Sequence, residues 1–251
     1  MQTIKEITAA LKAATKIELW MKDIASDERA GVQKAWSQFL KRLEKQKQLQ
    51  QAHNEKISFD AQYGKLVAGV DEAGRGPLAG PVVTAAVILP ENCQELLGLN
   101  DSKQLSKEAR ERFCLQVKEH ALSYYIHFQS AEVIDKLNIY EATKQSMTES
   151  VNMLHIKPDF VVVDAMTLPI TIPQASIIKG DAKSLAIAAA SILAKTARDQ
   201  YMENLALEFP QYGFEQHAGY GTKQHLEALE RYGPTIYHRK TFEPVKSMMK
   251  G

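Results

Sequence analysis

The sequence predicts an α/β or mixed α+β domain with one central sheet, preceded by a small helical appendage. Three observations support this prediction. From Lys65 onward, segments with an extended pattern alternate with segments whose apolar residues have helical spacing. The first 60 residues carry helical signals instead. The chain of 251 residues is also long enough for one large domain with an appendage.

The composition excludes several classes of protein. A formal net charge of +1 gives the whole molecule no attraction to nucleic acid or to a membrane, so a polyanion site would have to be a local patch. Cys93 and Cys114 have neither the number nor the spacing of a zinc site or a disulfide framework, and we expect buried free thiols. No window is apolar for the ~18 residues that a membrane span needs, and we expect a cytoplasmic protein.

Residues 1–60 are predicted to be a helical extension and linker, and residues 61–251 to be the main α/β domain with a helical C-terminal region. The stretch Thr3-Ile4-Lys5-Glu6 is a capping-box pattern, which predicts that a helix begins there. A second helix runs into the polar stretch EKQKQLQQAHNEK. The modest excess of basic residues fits either contact with a polyanion or a solvated helix face. The apolar positions are Ile4, Ile7, Leu11 and Ala14 in the first helix and Val32, Trp36, Phe39, Leu40 and Leu43 in the second.

Five extended segments predict the strands of the second domain, since apolar and β-branched runs are bounded there by turn-forming residues. Ser106 is placed as the N-cap of a helix, and small Ala and Ser residues after Asp181 would let another helix approach the sheet closely. The strand segments are LVAGVD, PVVTAAVIL, LSYYIHFQ, DFVVVDA (Asp159 to Ala165) and ASIIKG, and further helices are predicted around Ala131 to Lys136 and Ile139 to Leu154.

Acidic residues follow three of the predicted strands. Asp71 and Glu72 come at the end of the first, Asp164 at the end of the fourth and Asp181 at the end of the fifth. If these strands are neighbours, four negative charges meet in one cleft, which is unfavourable without protons or cations. Oxygen ligands suit Mg²⁺ or Mn²⁺, and two such ions roughly 4 Å apart can promote phosphodiester hydrolysis. Taken alone, Asp181 also fits a helix N-cap and Asp164 the start of a turn.

A loop rich in small residues follows the Asp71-Glu72 pair. Gly74 and Gly76 permit close approach of the main chain to a ligand, although the pattern alone also fits a tight turn. Tyr220 lies between two glycines, where an exposed ring could stack on a sugar or a base. A buried ring in a Gly-Tyr-Gly turn is the alternative.

Basic residues occur in two further places. Ser102 and Lys103 are predicted to lie in a loop, where a hydroxyl and an ammonium group could bind phosphate. Without the acids nearby, exposed charge at a helix N-terminus would explain them. Lys195, Arg198 and Asp199 lie one helical turn apart and are predicted to pair with one another.

Five separated segments, taken in order, resemble bacterial ribonuclease HII: GVDEAGRGPLAGPVVTAAVIL, DSKQLS, VVVDA, KGDAKSLAIAAASILAKTARD and HAGYGT. The resemblance covers roughly residues 65 to 245 and is specific, because the segments agree in order and in chemistry. It implies a ribonuclease H-like fold with a central mixed sheet flanked by helices. It also implies an endonuclease that hydrolyses the RNA strand of RNA–DNA hybrids and cleaves 5′ to ribonucleotides embedded in duplex DNA, in ribonucleotide excision during DNA replication and repair.

The resemblance further implies which residues bind metal. Asp71, Glu72, Asp164 and Asp181 fall on the metal-binding acids of the family, with two Mn²⁺ or Mg²⁺ ions as cofactors. Asp71 would contact both ions, Glu72 and Asp164 one each, and Asp181 would complete or orient the second site. Water activated in this way would attack the phosphate in line and leave 3′-hydroxyl and 5′-phosphate ends, with no Ser, Cys or His nucleophile.

Substrate contacts are implied in the same way. Gly74, Arg75 and Gly76 fall on the loop that reads the ribose 2′-hydroxyl through its backbone, and Tyr220 falls on the tyrosine that stacks on the neighbouring deoxynucleotide sugar. Arg75 favours type HII over the related type HIII, which lacks this arginine-bearing loop. The alternatives are a non-catalytic hybrid-binding module and a DNA nuclease of the same fold superfamily. We expect a monomer without a membrane partner.

Overall fold

The computed structural model describes residues 2–100 and 102–249 of the chain. Asp101, the first residue of the DSKQLS motif, lies outside the described residues. The chain divides into two compact units, of which the N-terminal unit ends at Asn54 and the second, the sheet unit, begins at Glu55. In the part of the chain that the structure describes, no helix is both long and apolar enough to cross a membrane.

The N-terminal unit is built from helices around a small apolar core. The capping box predicted at its start is confirmed, because Thr3 Oγ1 accepts from the Glu6 N–H at 3.3 Å and Glu6 Oε2 accepts from the Thr3 N–H at 2.8 Å. The helices are α1 (Ile4–Ala13), a 3₁₀ turn (Leu19–Met21), α2 (Lys22–Ala25) and α3 (Ala30–Ala61), which begins in this unit. The core residues are Ile7, Leu11, Met21, Ile24, Val32, Ala35 and Phe39.

The polar stretch that was predicted to be a linker is helical and lies inside α3. Its side chains bond along the helix at a spacing of four residues: Gln48 donates to Glu44 and Gln50 donates to Asn54, each at 3.0 Å. Residues at this spacing share one helix face, so the polar side chains support the helix. The last two turns of α3 belong to the sheet unit.

The sheet unit contains one mixed five-stranded sheet, as the sequence predicted. The strands lie in the order β3-β2-β1-β4-β5. β2 is antiparallel to both β1 and β3, whereas β4 is parallel to both β1 and β5. The strands are β1 (Val67–Ala73), β2 (Val82–Ile88), β3 (Ser123–Gln129), β4 (Phe160–Asp164) and β5 (Gln174–Ile177).

Helices cover both faces of this sheet. The α-helices of the sheet unit are α4 (Lys107–His120), α5 (Ala131–Leu137), α6 (Ile139–Asn152), α7 (Gly180–Lys183), α8 (Leu185–Glu208), α9 (Phe214–His217), α10 (Lys223–Tyr232) and α11 (Val245–Met248). Short 3₁₀ turns occur at Gln94–Leu96, Ser102–Gln104 and Pro210–Tyr212. The predicted N-cap at Ser106 is confirmed, because its side chain accepts from the Ala109 N–H.

Alternation along β2 separates the two sides of the core. Ala85 and Val87 pack on the side of α4 and α8, and Ala86 and Ile88 pack on the side of α6. The predicted close approach of a helix to the sheet is confirmed at Gly69 in β1, where a Cβ would lie 2.1 Å from the Ala186 carbonyl carbon. The central strand and α8 are therefore in main-chain contact.

The prediction that a strand ends at Asp181 is wrong. β5 ends at Ile177, and Asp181 lies in the one-turn helix α7. The reason is a main-chain reversal at Lys179, which adopts a left-handed conformation with φ 55°. Asp181 does not cap α8 either, since Ser184 Oγ accepts from the Ile187 N–H at 3.0 Å and Asp60 Oδ2 accepts from the Ala186 N–H at 2.9 Å.

Candidate active site

Asp71 and Asp164 lie on adjacent parallel strands at the same level of the sheet. Val70 on β1 is paired with Val163 on β4, and each acid is the next residue along its strand. Asp71 is 6% exposed. Burial raises the pKa of its carboxyl group well above the ordinary value, and the nearby charges of Glu72 and Asp164 raise it further. The structure therefore brings together three of the four predicted acids.

Basic side chains lie near Glu72 and oppose the effect of its burial. Burial raises the pKa of Glu72, the Arg75 guanidinium opposes this shift, and the charge of Asp164 adds to it. Arg75 Nη1 lies 3.6 Å from Glu72 Oε1, and the Arg75 side chain is 41% exposed. Lys103 also lowers the pKa of Glu72, so both basic residues lie within electrostatic range of the acids. Positive charge at the rim partly offsets the negative charge of the cluster.

Asp181 is linked to the cluster through the main chain of α7. The residue before it, Gly180, donates its N–H to Asp164 Oδ1 at 2.7 Å. Lys56, near the end of α3, is buried, and its ammonium group donates to the Asp181 carbonyl oxygen at 3.0 Å. The same ammonium group lies 3.2 Å from the Leu99 carbonyl oxygen and 3.2 Å from Asn100 Oδ1. Lys56 thus joins α7 to the segment that leads to Ser102.

Ser102 lies beside the acids, but its hydroxyl group points inward. Ser102 is 3% exposed, and its Oγ lies 3.1 Å from Ser191 Oγ on α8. The Ser191 side chain in turn lowers the pKa of Asp71 by hydrogen bonding, which opposes the effect of burial. A direct phosphate contact of the kind predicted from the sequence would require the bond between the two serines to open. The side chain of Lys103, on the same 3₁₀ turn, is exposed.

The four acids supply only oxygen donors, which fits hard divalent cations such as Mg²⁺ and Mn²⁺. A cation would also relieve the repulsion that raises the pKa values of Asp71 and Glu72. Across residues 2–100 and 102–249, no three acidic, histidine or cysteine side chains already form a coordination shell. The acids hydrogen-bond to the Glu72 and Gly180 N–H groups and approach Arg75 instead.

The 74–81 loop connects β1 to β2 and passes beside Tyr220. A Cβ on Gly76 would lie 3.5 Å from Tyr220 Cε1. Tyr220 is 47% exposed, which decides between the two alternatives in favour of the exposed ring. The main chain of the loop is pinned to the C-terminal region, since Leu78 N–H donates to Gly219 O at 2.8 Å and Gly80 N–H donates to Tyr237 O at 2.9 Å.

Two neutral histidines, linked by hydrogen bonds, hold the main chain at Tyr220. His225 Nδ1 donates to the Tyr220 carbonyl oxygen at 2.9 Å, which leaves His225 Nε2 as an acceptor. His238 Nε2 lies 3.0 Å from that atom and must donate to it, while His238 Nδ1 accepts from the Thr235 N–H at 2.9 Å. Burial, together with the neighbouring His225, lowers the pKa of His238 to about 4. Protonating either ring would place two N–H groups opposite each other.

Two buried arginines, Arg198 and Arg239, hold main-chain carbonyl groups of the 74–81 loop, and the sequence did not reveal this role for either. Both are buried, at 1% and 0% exposure. The predicted pairing is confirmed for Lys195 and Asp199, at 2.7 Å. It is wrong for Arg198, which donates instead to the carbonyl oxygens of Pro81, Ala218 and Ala79. Burial lowers the pKa of Arg198 to about 10 and that of Arg239 to about 9. The only signal in the sequence concerned Arg198, which lies on the otherwise apolar face of α8.

The chain is similar to known proteins over nearly its whole length. The chain matches the family model for Ribonuclease HII over residues 68–245 and the model for the Ribonuclease HII N-terminal domain over residues 3–64. It is 50% identical over 250 residues to a protein of Halalkalibacterium halodurans described as Ribonuclease HII, covering 97% of this chain and 95% of that one. A protein of Lactobacillus acidophilus with the same description is 49% identical and covers 99% of this chain and 100% of its own length.

A solved structure extends the comparison to the fold. The crystal structure of ribonuclease H2 from Pyrococcus horikoshii superposes with a TM-score of 0.64 at 29% sequence identity. The match covers 73% of this chain and 97% of that one. The predicted fold class is therefore confirmed.

Proposed function

The chain belongs to the ribonuclease HII family, and we propose that it cleaves 5′ to ribonucleotides embedded in duplex DNA, leaving 3′-hydroxyl and 5′-phosphate ends. As a member of this family it is an endoribonuclease of the ribonuclease H type, which cuts the RNA strand of RNA–DNA hybrids. The finer activity would serve ribonucleotide excision during DNA replication and repair.

The observation that carries the proposal is the buried acid cluster. Asp71 lies beside Glu72 and Asp164, and the pKa of the Asp71 carboxyl group is strongly raised. Such an arrangement destabilises the folded protein unless a cation is bound there. Asp71, Glu72, Asp164 and Asp181 would hold the ions. Two divalent cations, Mg²⁺ or Mn²⁺, would supply electrostatic stabilisation of the phosphate and lower the pKa of the attacking water.

The remaining residues would bind and select the substrate. The N–H groups of the 74–81 loop, at Gly74, Arg75 and Gly76, would donate to the ribose 2′-hydroxyl, the group that separates RNA from DNA. The exposed Tyr220 ring beside Gly76 would stack on the sugar of the next deoxynucleotide. The exposed Lys103 ammonium group would neutralise a backbone phosphate, and Ser102 would hold Ser191 and, through it, Asp71 in place.

The test is cleavage by the Asp71→Asn variant of a DNA duplex containing one ribonucleotide, with Mg²⁺ or Mn²⁺ present. We expect the rate to fall on the order of a thousandfold or more, because the carboxylate at the centre of the cluster is lost. The thermal midpoint should not fall, since an asparagine keeps the oxygen that accepts from the Glu72 N–H and removes a repelling charge.

Asp159→Asn is the matched control. Asp159 directly precedes the same strand, β4, at the end opposite Asp164, and its carboxylate accepts from the Leu66 N–H at 3.3 Å. It should retain nearly full activity. Near-normal cleavage by Asp71→Asn would contradict the assignment of the acids, and cleavage of the same duplex with deoxyribose in place of the ribose would contradict the role of the loop.

The oligomeric state and the compartment stay predictions. We propose that the enzyme acts as a monomer in the cytoplasm on RNA–DNA substrates, and sedimentation equilibrium of the purified chain would test the first of these. A stable dimer would contradict the expectation.

A further inference from the structure

Arg239 holds the main chain of the 74–81 loop from inside the protein. Its Nη1 donates to the Arg75 carbonyl oxygen at 2.8 Å, and its Nη2 donates to that of Gly74 at 2.5 Å. Nε and Nη2 both donate to the Gly80 carbonyl oxygen, at 3.1 and 3.0 Å. Among the described residues, every hydrogen bond of this guanidinium group goes to a main-chain carbonyl of the loop.

Burying the Arg239 guanidinium group in this way is energetically unfavourable. A buried cation is normally paired with a carboxylate, because desolvation otherwise disfavours the charged form. Arg239 is fully buried and receives only carbonyl dipoles as hydrogen-bond partners. Its planar fork of donors fixes several acceptors at once, which a lysine ammonium group cannot do with the same geometry. The arrangement is therefore suited to setting the orientation of particular peptide groups.

The orientation of those peptide groups has a direct consequence. In a trans peptide the C=O and the N–H point in opposite directions. The Gly74 carbonyl shares its peptide with the Arg75 N–H, and the Arg75 carbonyl shares its peptide with the Gly76 N–H. Because both carbonyls are bound to Arg239, both N–H groups point away from it. Arg75 and Gly76 are exposed, and neither N–H donates to an acceptor in the described part of the chain.

We propose that Arg239 is a positioning residue for sugar selection, which presents the Arg75 and Gly76 N–H groups as a preformed pair of donors for a ribose 2′-hydroxyl oxygen. The inference rests on the proposed function, which assigns this loop to the 2′-hydroxyl. Donors that are already oriented need no reorganisation when the substrate binds. A cation hydrogen-bonded to the carbonyl side of each peptide also polarises the N–H on the other side.

Arg198 provides a matched comparison within the same molecule. It is also buried, and it donates to three carbonyl oxygens, those of Pro81, Ala79 and Ala218. None of these belongs to the peptides that carry the Arg75 and Gly76 N–H groups. A lysine at position 198 should therefore loosen the far end of the loop without turning the two donors.

The experiment measures the affinity of the full chain for two duplexes of one sequence, one with a single ribonucleotide and one entirely of deoxynucleotides. The Asp71→Asn background prevents cleavage, and Mg²⁺ is present throughout. We expect this background to prefer the ribonucleotide duplex and Arg239→Lys to lose about tenfold of that preference. Affinity for the all-deoxy duplex should change less than about twofold, because it does not use the 2′-hydroxyl. A ratio of affinities does not depend on the fraction of protein that is folded.

Arg198→Lys in the same background should keep the preference. An unchanged ratio for Arg239→Lys would overturn the proposal, and so would an equal loss for Arg198→Lys, which would indicate general loosening of the loop. If the Asp71→Asn background itself shows no preference, the proposed reading of the 2′-hydroxyl has failed rather than the role of Arg239.

A second measurement needs no substitution of an arginine. In ¹⁵N spectra of Asp71→Asn, the amide signals of Arg75 and Gly76 should shift with the ribonucleotide duplex and not with the all-deoxy duplex. Equal shifts with both duplexes would show that these two N–H groups do not read the 2′-hydroxyl, and the role proposed for Arg239 would then be overturned together with its premise, even if Arg239→Lys does not fold.

Discussion

Substitution of Gly74 by alanine should destabilise the sheet unit strongly. Gly74 has φ 92°, a conformation that side chains rarely adopt. A Cβ there would lie 2.0 Å from Arg198 Nε and 2.4 Å from Arg198 Cδ. Arg198 has no room to withdraw while its guanidinium group stays bonded to the carbonyl oxygens of Pro81 and Ala79. The new methyl group therefore displaces a buried, hydrogen-bonded cation.

The magnitude follows from two contributions. A residue other than glycine at such a φ costs about 1–3 kcal/mol. Breaking one hydrogen bond to a buried charged group costs about 1.5–3 kcal/mol more. We therefore expect Gly74→Ala to lower the free energy of unfolding by on the order of 4 kcal/mol, a large part of the roughly 5–15 kcal/mol that stabilises a typical domain.

The measurement is urea denaturation followed by far-ultraviolet circular dichroism. Tryptophan fluorescence would report on the wrong unit, because the two tryptophans of the chain, Trp20 and Trp36, both lie before Asn54. Gly76→Ala is the control. Gly76 has no positive φ, and its Cβ would make only an ordinary contact at 3.5 Å with Tyr220, so the change should stay under about 1 kcal/mol. The reasoning is refuted if the two variants are equally stable.

Three further predictions concern other parts of the sheet unit. A chain that begins at residue 55 keeps Lys56 and Asp60, whereas one that begins at residue 61 loses both. The shorter chain should therefore be less stable by about 3 kcal/mol or more, and equal urea midpoints would contradict the role of these contacts. The pKa of His238 is about 4 in the folded protein against 6.5 as its ordinary value, so the stability contributed by the neutral ring is complete above pH 6.5 and lost as the pH falls toward 4. Over that range, the free energy of unfolding of the unmodified chain should fall by on the order of 3 kcal/mol relative to that of His238→Gln. Parallel pH profiles of the two free energies would rule this out. Tyr220→Ala should weaken binding of a ribonucleotide duplex by about 1–3 kcal/mol in a titration, while Tyr220→Phe keeps the stacking ring and binds normally; equal loss in both would show that the ring face is not what binds.

Local signals in the sequence were sufficient to predict where helices begin and which segments form strands. Ser106 and Thr3 cap the helices that follow them because a cap depends on residues three positions apart. The end of the fifth strand was misplaced, since nothing in ASIIKGD shows that Lys179 turns left-handed before Asp181. The apolar run alone favoured a longer strand.

The sequence predicted the residue types of the candidate site. It did not predict the contacts that hold those residues in place. Acids after apolar strands indicated a cation site, but the parallel pairing of β1 with β4, which puts Asp71 beside Asp164, is a property of the sheet order. Arg239 lies 165 residues from Gly74 and Lys56 lies 125 residues from Asp181 along the chain. Contacts over such distances leave no local pattern, because the carbonyl groups that accept these bonds belong to residues of any type.

The six residues from Asp71 to Gly76 combine the central acid of the cluster and the loop proposed to read the ribose in one continuous piece of main chain. The β1–β2 pairing extends to Ala73 opposite Val83, so the acids and the loop have a common register. A one-residue slip would carry both out of place together. For protein engineering, this means that the acids and the 74–81 loop cannot be exchanged as separate modules in this chain. Transplanting the hairpin into another scaffold would also require cationic anchors equivalent to Arg198 and Arg239 beneath it.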